Sequence, residues 1–268
     1  MKRTIIFWIL ALLITLGSAV YQRATGPTYP IKGKINLDGK DIKYSVARSH
    51  GGTTNHTVEI KTDDPAVEGF VIWKRYKTND DWAKVPMLYK DGILSAELPN
   101  QPPAGKLQYQ VTLKAGDKTF TLPEQGPNII RFKGDVPTLV LIIHVLAMFT
   151  GMLFSNRAGI ESLSKEPNLK KLALWTFGLL TVGGMILGPI VQKYAFGAFW
   201  TGWPFGTDLT DNKTAVVFIT WLLAVISTYK FKNPKRWVLA AAIITLAVYL
   251  IPHSMLGSEL DYSKLPQQ

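Results

Sequence analysis

Residues 137–154 read PTLVLIIHVLAMFTGMLF, and this stretch decides the fold class of the chain. It contains no Asp, Glu, Lys or Arg, and a single histidine, His144, stands near its start. A helix needs about 20 apolar residues to cross the hydrocarbon of a bilayer, with roughly 17 as the lower limit. Three later runs come close to the same length and composition. The sequence therefore predicts a four-helix transmembrane domain over residues 137–255, with helices in Pro137–Phe154, Leu172–Val191, Thr214–Tyr229 and Trp237–Ile251.

Basic side chains are concentrated in two short connections, Ser155–Lys171 and Lys230–Arg236. Each of these basic connections carries four Lys or Arg, whereas the connection between the second and third apolar runs carries only Lys193 and Lys213. Because Lys and Arg favour the cytoplasmic side of a membrane, both basic connections are predicted to face the cytoplasm. The tail 256–268 then lies outside. The net charge of +11 reflects this bias, so we expect the lipid bilayer as a partner and no nucleic acid.

The N-terminal segment 1–21 has the features of an export signal. Lys2 and Arg3 precede the apolar stretch Ile5–Leu16, and the small residues Gly17, Ser18 and Ala19 follow it. This pattern is typical of a cleaved signal peptide, and it also suits an uncleaved signal anchor. Both alternatives export the residues that follow. We therefore expect a multi-pass protein of the inner (cytoplasmic) membrane with its polar domain on the periplasmic face.

The exported domain, residues 22–136, is predicted to be a β-sandwich. Asp38-Gly39 is a tight hairpin signal between two short strands. Apolar side chains alternate along Lys106–Lys114, as they do in a half-buried strand. The predicted fold class is thus an α+β multidomain membrane protein, with strands at Ile31–Leu37, Lys40–Val46, Thr57–Lys61, Phe70–Tyr76, Ala83–Tyr89, Ile93–Leu98, Lys106–Lys114 and Lys118–Leu122.

The segment PPAGKLQY (Pro102–Tyr109) resembles the start of the penultimate strand in fibronectin type III and other immunoglobulin-like domains. The resemblance implies an immunoglobulin-like sandwich in which Tyr109 bonds back to the preceding loop. Elsewhere in this domain, His50 and His56 are interpreted as ordinary loop histidines, because no third metal ligand can be named. Trp73 and Trp82 are interpreted mainly as packing residues, with a carbohydrate- or peptide-binding face as the alternative.

Two histidines, His144 and His253, lie at the outer ends of the first and last predicted helices. Between them in the chain stands FGAFWTGWPFGTDLTDNKT (Phe196–Thr214), the aromatic loop. Imidazole beside hydrocarbon is costly without a partner, and neutral imidazole coordinates iron well. Rings of Trp and Phe could cover a porphyrin. Since the chain has no cysteine, disulfides, thiolate sites and covalent c-type haem attachment are excluded. No catalytic residue is predicted from the sequence.

This half of the chain resembles the cytochrome c assembly (haem-handling) membrane proteins. The resemblance rests on Gly197–Trp200, Trp203, the acidic residues Asp208 and Asp211, Lys213-Thr214 and Ile219–Leu222. It implies that His144 and His253 are axial ligands of haem b and that Trp200, Trp203, Asp208 and Asp211 belong to the haem-binding loop. The spacing departs from the family pattern, because its compact Trp-x-Trp-Asp core is spread over Trp200–Asp208. The predicted four-helix core is also smaller than the family's bundle.

Two function classes follow. The first is an outward-facing haem site used in haem handling, cytochrome assembly or b-type electron transfer, with a cytochrome or redox partner docking on the exported domain. The second is a non-redox, membrane-anchored scaffold whose β-sandwich binds an envelope component. In the second class the aromatic loop and the histidines pack structurally. A quinone or another lipid-like ligand is a further alternative for the same loop.

Overall fold

The structure, a computed structural model, describes residues 2–37, 39–253, 255 and 257–264. The chain forms two compact units. The helical unit combines residues 1–27 with 136–258, and the β unit combines residues 28–135 with 259–268. Asp38 of the predicted hairpin, and residues 256 and 265–268 of the predicted tail 256–268, lie outside the described residues. The protein is therefore of mixed α and β class, with one helix before the strands and the remaining helices after them.

The β unit contains three sheets. Strands β1 and β2 form an antiparallel pair, and β4, β8 and β7 form a second sheet in that order. The third sheet has the order β3-β11-β9-β5-β6, and β10 also pairs with β9. All its neighbours are antiparallel except β3 and β11. The strands are β1 (Ile31–Leu37), β2 (Lys40–Val46), β3 (Ser49–Gly51), β4 (His56–Lys61), β5 (Glu68–Arg75), β6 (Ala83–Pro86), β7 (Leu88–Lys90), β8 (Ile93–Leu98), β9 (Lys106–Ala115), β10 (Lys118–Leu122) and β11 (Asn128–Lys133).

One hydrophobic core joins all three sheets. Alternate residues of β9 (Leu107, Tyr109, Val111 and Leu113) are completely buried, as the alternation in the sequence predicts. Apolar side chains of β1, β2, β4 and β8 complete the same cluster. Sequence reasoning missed β3 and β11. β3 has only three residues and gains its structure by pairing with β11, so it has no local signal of its own.

Tyr109 is the central polar anchor of this core. Its hydroxyl donates a hydrogen bond of 2.7 Å to the carbonyl oxygen of Ala47. The side-chain amide of Asn128 donates to the same oxygen, also at 2.7 Å. Burial raises the pKa of Tyr109 far above its ordinary value, so the phenol is neutral. The tyrosine thus bonds to the segment after β2, whereas the immunoglobulin-like resemblance implied the loop directly before its own strand.

The helical unit consists of α1 followed, after the β unit, by five helical segments and a π segment. Four of its helices are long and apolar enough to cross a membrane: Lys2–Thr25, Thr138–Ser162, Leu169–Phe196 and Leu209–Lys230. The last helix has 17 residues, close to the lower limit. The segments are α1 (Lys2–Thr25), α2 (Thr138–Ser162), α3 (Leu169–Leu180), the π segment (Thr181–Leu187), α4 (Gly188–Phe196), α5 (Leu209–Lys230) and α6 (Pro234–Leu250).

Small residues allow the helices to approach closely. A Cβ atom on Gly151 would lie 2.7 Å from Leu180, and one on Gly159 would lie 2.7 Å from Cβ of Ala242. In the π segment, a Cβ on Gly183 would lie 2.8 Å from the sulfur of Met148. Helix α2 therefore packs against α3, the π segment and α6, as well as against α1.

Helix α1 is fixed to this unit by side chains along its whole length. The amide of Asn156 donates to the hydroxyl of Thr15 at 2.9 Å, and both residues are buried. The ring of Trp8 packs edge-on against Phe154 at a centroid distance of 5.1 Å. Near the last turn, the amide of Gln22 donates to the carbonyl oxygen of Tyr249 at 2.7 Å. The helix is longer than the predicted apolar stretch Ile5–Leu16, because its contacts with α2 and α6 extend well beyond that stretch.

Candidate functional site

The sequence places its candidate residues in the aromatic loop and at two helix ends, and the structure shows what each of them does. Only Gly197–Asp208 of the aromatic loop is irregular, because α5 already begins at Leu209. Asp208 is the N-cap of α5: its Oδ1 accepts hydrogen bonds from the backbone N–H of Thr210 (2.8 Å) and of Asp211 (3.4 Å). Its Oδ2 accepts from the backbone N–H of Ser258 at 2.8 Å and from the Ser258 hydroxyl at 3.1 Å.

Asp211 holds the start of the loop from the first turn of α5. Its Oδ2 accepts hydrogen bonds from the backbone N–H of Thr201 (2.6 Å), from that of Gly202 (2.9 Å) and from the amide of Gln192 (3.0 Å). Gly202 is required at this point, because a Cβ there would lie 2.6 Å from Cβ of Asp211. Both predicted acidic site residues are therefore buried and engaged in fixing the backbone.

Polar contacts hold the ring of Trp200 and the backbone of Trp203 in the aromatic loop. The indole N–H of Trp200 donates to the carbonyl oxygen of Trp203 at 3.1 Å. The backbone N–H of Trp203 donates to Oδ1 of Asn212 at 2.7 Å. The side chains of Trp203 and Phe205 are 79% and 83% exposed, and Phe199 is also exposed. The loop thus displays apolar rings on a backbone fixed by Asp208, Asp211 and Asn212.

His144 lies on α2 and is half-buried. Its Nδ1 lies 2.9 Å from the carbonyl oxygen of Gly183 in the π segment. Because a carbonyl can only accept, Nδ1 carries the hydrogen, and Nε2 of the neutral ring keeps its lone pair. This is the tautomer that a histidine needs in order to bind a metal or to accept a proton at Nε2. π-helical turns occur frequently at functional sites, and this one supplies the carbonyl that orients His144.

Lys213 is a buried cation in the first turns of α5. Its Nζ donates to the carbonyl oxygen of Ile251 at 2.8 Å and to that of Pro252 at 3.4 Å. These two carbonyls follow the last turn of α6, where the helix dipole favours a positive charge. Lys213 therefore joins the start of α5 to the end of α6. Sequence reasoning treated it as a loop charge, although a lysine at the margin of an apolar helix is itself a signal of a structural or functional partner.

A small cavity, the helix-end cavity, lies beside Lys213. Its volume open to the centres of water molecules is about 30 Å³, which suits roughly two waters. Desolvation and then the charge of Lys213 lower the pKa of His253 to about 4, although the residue is exposed at the surface of the cavity. Met148, one helical turn after His144 on α2, lines the same cavity as His253. The cavity is lined by Met148, Leu180, Thr210, Lys213, Thr214, Val217, Val248, Tyr249 and His253.

These observations test the fit of a haem. The donor chemistry fits, since His144 offers Nε2 and His253 is neutral at pH 7. The space does not fit, since a cavity with room for about two waters is far too small for a porphyrin. Neither Trp200 nor Trp203 belongs to the residues that line the cavity. The structure thus brings His253 together with Lys213, and near His144, but it does not bring the two tryptophans into the same cavity.

The β unit carries a much larger depression, the tail groove. The groove lies between two segments, residues 75–80 at the end of β5 and residues 259–263. Its volume open to the centres of water molecules is about 570 Å³. Glu259 accepts from Lys77 at 2.7 Å and from Lys106 at 3.0 Å. The hydroxyl of Tyr262 accepts from the backbone N–H of Lys106 and donates to the side chain of Gln101. No sequence motif marks this groove, because its two walls are about 180 residues apart in the chain.

Ion pairs determine the charge of the tail groove. The guanidinium of Arg75 donates to both carboxylate oxygens of Asp80, at 2.6 and 2.9 Å, and this hydrogen bonding lowers the pKa of Asp80. Burial alone would raise the pKa of Glu259, but its bonds to Lys77 and Lys106 outweigh burial and lower it. Burial raises the pKa of Tyr262 to about 12. At neutral pH the groove therefore has charged carboxylates, charged bases and a neutral phenol.

The histidines of the β unit form a pair. The rings of His50 and His56 have centroids 5.1 Å apart, and His50 also packs edge-on against Phe132. Nε2 of His50 donates to the carbonyl oxygen of Thr54 at 2.8 Å. Burial, followed by repulsion from His50, lowers the pKa of His56 to about 4. Among the described residues, no group of three or more His, Cys, Asp or Glu side chains could hold a metal ion.

Comparison of the chain with protein-family models, with curated proteins and with solved structures gives no match.

Proposed function

We propose that this protein is a multi-pass protein of the inner (cytoplasmic) membrane and acts as a non-redox scaffold whose β unit binds an envelope component on the periplasmic side. The four long apolar helices support membrane insertion. Large apolar side chains are exposed on α1 and α2, among them Ile5, Leu13, Leu139 and Leu146. A soluble protein rarely exposes so much apolar surface, and lipid is the solvent that suits it.

The contacts of the tail support the proposed orientation. Residues 259–264 pack on the β unit through Glu259 and Tyr262, so the end of the chain and the β unit share one side of the membrane. This arrangement requires α6 to cross, in spite of its 17 residues. The basic connections then lie on the opposite, cytoplasmic side. We further propose that α1 remains attached as a signal anchor, since Thr15, Trp8 and Gln22 are integral to the packing of the helical unit.

The observation that carries the binding function is the difference in volume between the two candidate sites. Ligand sites of proteins usually have volumes of about 300–1,000 Å³. The tail groove, at about 570 Å³, lies within this range, whereas the helix-end cavity, at about 30 Å³, lies far below it. The contacts of Asp208 and Asp211 favour the same interpretation, because both carboxylates are engaged in holding the aromatic loop. The loop then anchors the helix ends in the membrane interface through Trp203 and Phe205.

Two measurements test the proposal. Reporter fusions after Lys165 and after the C-terminal residue should report opposite compartments, cytoplasmic and periplasmic. Purified full-length protein should co-sediment with the insoluble cell-wall polymer of the producing cell, and it should do so without a chromophore. Identical compartments for the two fusions would contradict the topology. Failure to bind cell-wall polymer, envelope lipid vesicles and secreted envelope proteins would contradict the scaffold function.

A haem-handling protein is the second candidate, and one observation favours it. The hydrogen bond from Nδ1 of His144 to Gly183 leaves Nε2 with the lone pair that an axial ligand uses. This candidate requires the helix-end cavity to widen considerably beside His253. A cytochrome or other redox partner would then dock on the β unit. The absorption spectrum of the purified protein decides between the two candidates.

A further inference from the structure

The chemistry of the tail groove restricts the kind of ligand that it can take. Its cations Arg75 and Lys77 are engaged by Asp80 and Glu259. Its third carboxylate, that of Asp261, accepts from the hydroxyl of Ser263 and lies 3.4 Å from Nζ of Lys264. The charged side chains that line the groove are thus paired with neighbours of opposite charge. An anionic polymer finds no unpaired lysine or arginine among the described lining residues, and a cationic ligand finds no unpaired carboxylate.

Two neutral side chains that line the groove have polar groups without a hydrogen-bond partner among the described residues. The amide of Asn79 is exposed and makes no hydrogen bond with any other described residue. The hydroxyl of Tyr76 likewise has no hydrogen-bond partner in the described part of the chain. An amide provides two donors and an acceptor, and a phenol can donate or accept. Together they suit a ligand whose groups both donate and accept, which is the property of a hydroxyl.

We propose that the tail groove binds a neutral oligosaccharide. The proposal rests on the scaffold function above and specifies the chemistry of its envelope component. The rings of Tyr76 and Tyr262 border the groove. Lys77 and Lys106 lie over the ring of Tyr76 and Arg75 lies over that of Tyr262, and the rest of each ring is apolar surface for the C–H groups of a sugar. The amide of Asn79 and the hydroxyl of Tyr76 can bond the hydroxyls of the sugar.

A peptide is less suitable as the occupant. Peptides commonly bind by adding a strand to a free sheet edge or by placing apolar side chains in pockets. The strand that leads into the groove, β5, pairs with β9 from Glu68 to Arg75 and with β6 from Phe70 to Trp73, so its free edge beside the groove is limited to Lys74 and Arg75. Leu260 is the one aliphatic side chain among the described lining residues. Its backbone N–H is already bonded to the carbonyl oxygen of Ala104, so this wall offers little for strand addition.

The test uses the full-length protein in a polyoxyethylene detergent, since detergents with sugar headgroups would compete for the groove. N-acetylglucosamine hexamer and maltohexaose are titrated by calorimetry, with dextran sulfate and an alanine pentapeptide as the anionic and peptide alternatives. At least one of the neutral saccharides should bind. Asn79→Ala removes roughly one hydrogen bond and Tyr76→Ala removes a hydroxyl together with its ring, so each should weaken that binding about fivefold or more.

Matched controls distinguish the groove from the rest of the surface. Gln125→Ala removes an exposed amide, and Tyr89→Ala removes an exposed tyrosine, both outside the groove. Neither should change the affinity, and circular dichroism should show that all four variants are folded. The inference would be overturned if neither saccharide binds, or if only dextran sulfate or the peptide binds. It would also be overturned if Asn79→Ala and Tyr76→Ala bind the saccharide with the affinity of the wild type. If co-sedimentation with cell-wall polymer persists in those cases, the scaffold function stands and only its assignment to this groove fails.

Discussion

The side-chain amide of Asn156 on α2 donates a hydrogen bond of 2.9 Å to the hydroxyl of Thr15 on α1. Both side chains are buried in the helical unit, and the hydroxyl of Thr15 in turn donates to the carbonyl oxygen of Ala11 at 2.7 Å. A helix removed during export could not supply this partner. Cleavage that removes Thr15 would therefore leave Asn156 without its partner and lower the stability of the helical unit.

The first prediction concerns this pair. Thr15→Val leaves the buried amide of Asn156 without its acceptor, which should cost about 1–3 kcal/mol of stability and lower the thermal midpoint of the purified protein. Thr25→Val, which removes an exposed hydroxyl of the same helix, is the control. The intact mass of the mature protein should include residues Lys2–Ala19. A mature chain that begins after Ala19 would show that α1 is a cleaved signal peptide.

The second prediction concerns the aromatic loop. Asp211→Ala deprives the backbone N–H groups of Thr201 and Gly202 of their acceptor, at a cost of roughly 1–3 kcal/mol for each donor left buried and unpaired. The loop should then be cut by protease at concentrations that leave the wild type intact. Asp117→Ala, in an exposed turn of the β unit, should have no such effect. If both variants resist the protease equally, the hydrogen bonds of Asp211 do not hold the backbone of the aromatic loop in place.

The third prediction concerns haem. The protein purified from haem-supplied cells should have no Soret band, because the helix-end cavity has room for about two waters. His144→Ala and His253→Ala should therefore leave the absorption spectrum unchanged. The opposite result would be a Soret band that is lost in these two variants and retained in His50→Ala and His56→Ala. That pattern would replace the scaffold function by the haem-handling one.

The fourth prediction concerns pH and the tail. Lys77 and Lys106 hold the pKa of Glu259 below its ordinary value of 4.5 in the folded protein. A carboxylate with a lowered pKa stabilises the fold above its ordinary pKa, and this contribution is lost as the pH falls through the folded value. The backbone N–H of Leu260, bonded to Ala104, should thus have a lower protection factor (its intrinsic exchange rate at a given pH divided by its measured rate) below about pH 4 than at pH 6.

Glu259→Gln tests the cause of this pH dependence. The variant cannot ionise at this position, so the protection factor of Leu260 should be low at pH 6 and should change less between pH 6 and pH 3 than in the wild type. Lys34→Ala, which removes an exposed ion pair with Asp41 elsewhere in the β unit, is the control. An unchanged pH profile in Glu259→Gln would mean that another group holds the tail.

Hydrophobic pattern was sufficient to locate most of the secondary structure. The apolar run Pro137–Phe154 lies within α2 except for Pro137, which is its N-cap, and the strands Ile31–Leu37, Ile93–Leu98 and Lys118–Leu122 have the predicted bounds. These signals are local, since a strand or an apolar helix is marked by its own residues. The predicted strand Ala83–Tyr89 is divided in the structure, because Met87 turns inward and its N–H bonds to Gly69.

The sequence by itself determined most of the helices and strands, which loops are basic, and that a histidine stands on the first apolar helix after the β unit. The tertiary structure decided what the polar side chains do. Only the fold brings Gly183 to His144, the end of α6 to Lys213, and Glu259 to Lys77 and Lys106. The physical reason is that burial follows from local composition, whereas a hydrogen bond or an ion pair depends on angstrom-scale distances between residues far apart in the chain.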